Sequence, residues 1–303
     1  MPLNKALSGF IYPYYQMQKL ILGLLVLSVM LFGKTITAQT ATSSTNLYTA
    51  HNKGKILVYW GWNRAYFTTS DIHFTGSNYD FTIKDAKAHD KPKSITFRNY
   101  LQPDRVTIPQ TNFRIGYFIS DHYNVSGGID HMKYVMSYQT ANVSGYIDVD
   151  SPVGDDYNGV YDNTPTQIDD NFVHLEHTDG LNYVNFEFSR YDDLGKLLGF
   201  EWNTDIFQIN ITEGVGVGAL VPKTNATILD RKRYDQFHLA GFGISLKQGI
   251  NFTFFKHFFI QAEAKEGYIN MPNIRTTHSK SDKASQDFFY FQPSLMFGGI
   301  FKI

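Results

Sequence analysis

The chain has no cysteine among its 303 residues. That excludes a disulfide-stapled scaffold and thiolate chemistry, and it suits a chain that crosses an oxidising periplasm. It carries no excess of charge of either sign. The formal net charge is −1, which gives no reason to expect nucleic acid as a partner. Helical periodicity is nearly absent. Beyond the N-terminal segment no apolar run is long enough for a helical membrane span, so any place in a membrane would have to be taken by strands. Zincin, P-loop and dinucleotide motifs are missing, no EF-hand spacing occurs, and neither a metal nor a cofactor is expected. What the chain does have is aromatic side chains: 16% of its residues, with 25 Phe and 20 Tyr.

The N-terminus reads as an export signal. Lys19 lies in a short basic flank before LILGLLVLSVMLFG, a run short for a span and right for a signal-peptide core. Ala38 offers a cleavage point. The expected organisation is a signal peptide over 1–38, a short periplasmic segment over 39–54 and a barrel over 55–303. Met17 would make a conventional start, which sets 1–16 aside as an upstream start. An uncleaved anchor helix is the other reading of the run.

The rest of the chain alternates. In FFYFQPSLMFGGIFKI, Phe289, Phe291, Leu295, Phe297, Phe301 and Ile303 share one face of a strand. Seven further segments behave alike: 55–68, 106–119, 123–138, 181–191, 205–221, 237–254 and 258–270. Short connections at 120–122 and 256–257 alternate with long polar ones. The expected fold is an all-β, antiparallel, up-and-down transmembrane β-barrel of about eight strands, with long extracellular loops. Further alternation at Tyr79–Ile83, Val143–Val149 and Phe172–Leu175 points to hairpins above the membrane and keeps ten or twelve strands open. Aromatics crowd both strand ends, as interfacial girdles do. A secreted β-sandwich is the alternative.

The signal segment, the strand rhythm and the Gly298, Phe301, Ile303 spacing together resemble the small outer-membrane barrels of the OmpA, OmpX and OmpW-like group. NFRIGYFISDHYNVSGGIDHMKYVM and FFKHFFIQAEAKEGYINMP are similar to stretches of such proteins. The resemblance implies the cell outer membrane as location. It implies membrane lipid and lipopolysaccharide as surroundings, and barrel-assembly machinery reading the C-terminal strand. It implies no activity, because fold and function separate.

Four constellations stand out. Arg114, Glu187, Lys247, Glu263 and Lys265 fall on inward faces, where a gated polar path competes with a paired plug. Gly214, Gly216 and Gly218 climb one strand and Gly241 and Gly243 descend the next. They either open a ligand-binding mouth for a small apolar or amphipathic molecule, or relieve crowding. In HLEHTDG, His174 and Glu176 share one face while His177 and Asp179 share the other, and Asp179-Gly180 reads as a hairpin turn. With His131 below, and Ser137 and Ser144 nearby, this run keeps a lipid-modifying hydrolase or acyltransferase open. The acidic loop at 151–170 reads as solvated, and the long loops also fit a surface adhesin. The leading expectation is a non-enzymatic envelope barrel.

Overall fold

The computed structural model describes residues 52–100, 102, 109–150, 154–200, 203–231 and 233–302. The expected signal peptide, its upstream start and most of the short segment after it lie outside these residues. Fifteen strands follow in chain order. They are β1 (Lys55–Asn63), β2 (Tyr66–Phe67), β3 (Ser70–Gly76), β4 (Tyr79–Ala86), β5 (Ala88–His89), β6 (Thr111–Phe118), β7 (Tyr123–Met136) and β8 (Gln139–Ile147). Then come β9 (Gly159–Ile168), β10 (Val173–Asp193), β11 (Phe207–Leu220), β12 (Asn225–Ile228), β13 (Gly241–Phe254), β14 (Phe258–Arg275) and β15 (Lys283–Lys302). Three short helices, α1 (Phe97–Tyr100), α2 (Gly154–Tyr157) and α3 (Leu194–Leu198), sit in connections.

Eight strands close a ring in the order β1-β6-β7-β10-β11-β13-β14-β15, with β15 pairing antiparallel to β1. Each of the eight alternating segments supplies one ring strand. A row of paired residues leaves β1 at Ile56 and passes Tyr117, Val125, Phe188, Val215, Leu246, Glu266 and Phe291. It returns beside Tyr66, ten residues further along the chain. Such a stagger is what tilts the strands of a closed barrel.

The outward face is apolar. Phe113, Ile115, Val184, Phe186, Val215, Val217, Ile244, Ile260 and Leu295 are all exposed, Phe186 by 75%. A water-soluble monomer rarely exposes so continuous an apolar surface. With every ring strand paired on both sides, the chain satisfies the condition for crossing hydrocarbon as strands.

The interior has three layers. At the end bearing Lys55 and Lys302, Leu57, Tyr59, Phe118, Tyr191, Phe259, Met296 and Ile300 form a small apolar cluster. Above it lies a charged layer. Above that, a large cluster joins Tyr134, Leu175, Ile269, Phe288 and Tyr290 of the ring to Phe74, Phe81 and Val143. Those last residues belong to β3, β4 and β8, which continue the sheet from β15 through β3-β4-β8-β9. The expected hairpins in the long loops are these strands. Several aromatics of the expected girdles point inward instead. Phe118 and Phe259 close the lower cluster, and Phe67, Tyr134 and Phe288 join the upper one. Period two puts neighbours on opposite faces, so two adjacent aromatics cannot both meet lipid.

Local chemistry sets the turns. Asp193 caps α3, accepting from Gly195 N at 2.8 Å and Lys196 N at 3.3 Å, and Gly199 ends it at φ 74°. At Asp179-Gly180 the chain does not make the expected hairpin. β10 runs through, with a register shift between His177 and Leu181 and Gly180 at φ 134°. The stretch is a bulge, where two extra residues of β10 are absorbed without reversing the strand.

Candidate functional site

The outward face of β7 changes character along its length. Tyr123, Val125, Gly127 and Ile129 lie on the apolar band, and His131 and Lys133 follow above it. Gly127 pairs with Ile115 on one side and Phe186 on the other. Gly127 carries no side chain there, the Phe186 ring leans over it 3.2 Å from where a Cβ would stand, and a groove of about 680 Å³ lies alongside. Ile115, Tyr117, Val125, Phe186, Phe188 and Val215 line it.

Four residues further up, roughly 13 Å along the strand, the same face meets a second concavity of about 370 Å³. Lys91, Lys93, His131, Lys133, Thr178 and Asp179 line it. Lys91 pairs with Glu176 at 2.9 Å, and Asp179 with Lys223 at 3.1 Å. Burial, and then the neighbouring Lys93, push the Lys133 ammonium below its usual range. A phosphate placed here would relieve that repulsion. His131 Nδ1 lies 2.9 Å from Asn182 Oδ1, while Asn182 Nδ2 donates to Val221 O at 3.2 Å. The amide is thereby fixed, Nδ1 carries the proton, and Nε2 is the second ring nitrogen.

The other candidate histidines are elsewhere. His174 Nδ1 pairs with Asp170 at 2.9 Å, and its Nε2 lies 3.8 Å from Glu176. His177 is fully buried in the upper layer, 3.1 Å from Thr224 Oγ1 and against the Tyr134 ring. Burial drives its pKa down to about 3, so it stays neutral. Ser137 bonds His89 at 2.9 Å, and Ser144 accepts from Asn163 N at 3.1 Å. The serines therefore meet none of the three candidate histidines. His89 lies on the short strand β5, in a connection to which the sequence pattern assigns no role. Among the described residues no cluster of three metal-ligating side chains occurs.

The five glycines lie on adjacent strands as their spacing requires, with Gly218 opposite Gly243. Side chains take the space beside them. A Cβ at Gly216 would lie 2.5 Å from Ser245 Oγ and 3.1 Å from Glu187 Cγ. At Gly214 it would lie 3.0 Å from Lys247 Cε, and at Gly243 3.0 Å from Tyr183 Cε2. At Gly218 and Gly241 neighbouring backbone closes in.

The charged layer holds Arg114, Glu187, Lys247, Glu263 and Lys265, all buried, as the alternation predicts. Glu187 is its centre, 2.9 Å from Arg114, 2.6 Å from Lys247 and 2.7 Å from Lys265. Glu263 takes Lys247 at 3.3 Å. Asp130, which the alternation puts on the polar face of its strand but which was not counted among the charged set, completes the layer. It lies 2.5 Å from Lys265 and 3.4 Å from Arg114. Three cations face three carboxylates.

No family model matches the chain, and no curated protein matches it in sequence. Solved structures do match. The structures it is similar to are small outer-membrane β-barrels. The outer membrane protein OprG from Pseudomonas aeruginosa is 10% identical, over 84% of this chain and 99% of that one, at a TM-score of 0.37. The N-terminal β-barrel domain of Pseudomonas aeruginosa OprF is 6% identical, over 80% and 98%, at 0.25. Ail, the attachment invasion locus protein of Yersinia pestis, in complex with the heparin analogue sucrose octasulfate, is 8% identical, over 80% and 99%, at 0.26. At these identities and TM-scores the likeness carries no argument about this chain's role.

Proposed function

We propose that this chain is an integral outer-membrane barrel, exported through a cleaved signal peptide, closed to solutes and without enzymatic activity. Its role is in envelope structure, and its outer face holds one phosphorylated lipid of the surrounding leaflet. The observation that carries the lipid reading is the order of features along β7. A cationic concavity at the edge of the apolar band stands directly above a glycine-floored apolar groove within it. A phosphate at Lys91, Lys93, Lys133 and His131 would let an acyl chain run past Ile129 into the space over Gly127. Lipopolysaccharide is the lipid of that leaflet with this chemistry. Closure to solutes is supported by the three filled layers of the interior. The C-terminal strand β15 would serve the assembly machinery.

The test is native mass spectrometry of protein released from membranes in mild detergent. We expect one retained anionic lipid, displaced in the Lys91→Ala/Lys93→Ala double variant and in Gly127→Leu, which fills the groove. Equal retention of neutral and anionic lipid, or retention untouched by these changes, would sink the reading.

Binding at Gly214, Gly216, Gly218, Gly241 and Gly243 stays a second proposal of narrower scope. Any ligand there must displace Tyr183 or Lys247. Gly216→Trp should then abolish uptake of a small apolar probe while leaving the lipid on β7 in place.

A further inference from the structure

The row that circles the barrel through Ile56, Tyr117, Val125, Phe188, Val215, Leu246, Glu266, Phe291 and Tyr66 contains one acid. Glu266 sits on the outward face of β14, between Leu246 of β13 and Phe291 of β15. It lies eight residues above Phe258, roughly 20 Å up a band about 25 Å tall, for a strand tilted by about 40°. It is only 7% exposed, and neither carboxylate oxygen has a hydrogen-bond partner. The phenol two residues along the same face is engaged elsewhere: Tyr268 donates to Asp287 at 3.1 Å. On β11, Glu213 also faces outward, 5% exposed, with Oε2 unpartnered. A buried carboxylate oxygen without a donor destabilises the barrel that carries it.

We propose that the β11–β13–β14 face is a docking surface for a second, different membrane-embedded protein, which presents a lysine or arginine to Glu266. Charge complementarity selects the occupant. A symmetric pair of copies, related by an axis along the membrane normal, keeps every residue at its own depth and sets acid against acid. The outward cation on β10, Arg190, stands directly opposite Glu213 and two residues below the row that carries Glu266. It is already held by Asp192, at 2.6 and 3.1 Å, and by the Tyr123 ring. A lipid headgroup would have to leave the interface to reach a carboxylate inside the band. Glu266 on β14 is four strands round the ring from Gly127 on β7, and β11, whose Val215 lines the lipid groove, is the strand the two surfaces share.

The experiment places a photoreactive benzoyl-phenylalanine at position 264, the outward neighbour of Glu266, in full-length protein in native membranes. The expected result is an adduct with one membrane protein whose cross-linked peptide carries Lys or Arg. The adduct should fall at least fivefold in a Glu266→Gln background and persist with Glu266→Asp. Adducts with lipid alone, with a second copy, with a protein indifferent to Glu266→Gln, or with nothing at all overturn the proposal. A second measurement uses the isolated barrel. Glu266→Leu should raise its urea midpoint, because the acid is retained for a partner and not for the fold. A lowered midpoint would mean that the barrel itself satisfies the carboxylate.

Discussion

Glu187→Gln is the sharpest perturbation of the charged layer. The side chain is fully buried and touches Arg114, Lys247 and Lys265. Its removal leaves three cations against Asp130 and Glu263. Each cation keeps one carboxylate: Arg114 and Lys265 share Asp130, and Lys247 retains Glu263. One positive charge is then uncompensated in a layer closed above and below by apolar clusters. Breaking a buried ion pair costs about 3–5 kcal/mol, and the remaining partners put this case at the low end, about 3 kcal/mol. With a urea slope of about 1–3 kcal/mol/M, the unfolding midpoint in lipid vesicles should fall by roughly 1–3 M. The double variant Glu187→Gln/Lys265→Gln restores two cations to two carboxylates. It should be more stable than the sum of the single effects predicts, by about 1–3 kcal/mol. The assay is urea titration followed by heat-modifiable gel mobility. A single-variant loss below about 0.5 kcal/mol, or a double variant that is simply additive, would refute the account of the layer as a balanced plug.

His177 stays neutral down to about pH 3 in the folded chain but takes a proton near 6.5 when unfolded. Stability should therefore fall as pH drops from about 6.5 to about 3, by up to about 1.4 kcal/mol per pH unit. The upper layer should open first in hydrogen exchange, and His177→Gln should flatten that dependence. Phe81→Ala empties a site stacked on Phe74 and Phe172 and should cost about 3–5 kcal/mol. Proteolysis should then reach the β3-β4-β8-β9 sheet while the ring keeps its heat-modifiable mobility. In planar bilayers the purified protein should show no steady conductance, and a stable open channel would contradict the filled interior.

Much of the barrel was legible because alternation is a local property. In 181–191, Val184, Phe186 and Phe188 declare one face, and Asn185, Glu187 and Ser189 declare the other. The face of a side chain needs no knowledge of its neighbours. The same rule located Arg114 and Lys247 inside. It also carries the signal for Glu266, the one acid in phase with Phe258, Ile260, Ala262, Ala264 and Tyr268. The bulge at Gly180 was not legible. A turn and a bulge use the same positive-φ glycine, and only the pairing of β10 with β7 and β12 separates them. The room beside the glycines was not legible either. Strand adjacency followed from spacing, but the space beside Gly216 depends on Ser245 and Glu187 arriving from either side.

The sequence by itself determined the strands, their faces and the solvent each face requires. Those follow from a two-residue period and from the free energy of burying or exposing each side chain. The tertiary structure alone decided the ring of eight, its ten-residue stagger and the partners within it. Lys265 meets Asp130 across 135 positions of chain, and no local pattern encodes such a meeting. It arises only when β15 closes on β1 and the tilt brings opposite walls to the same height.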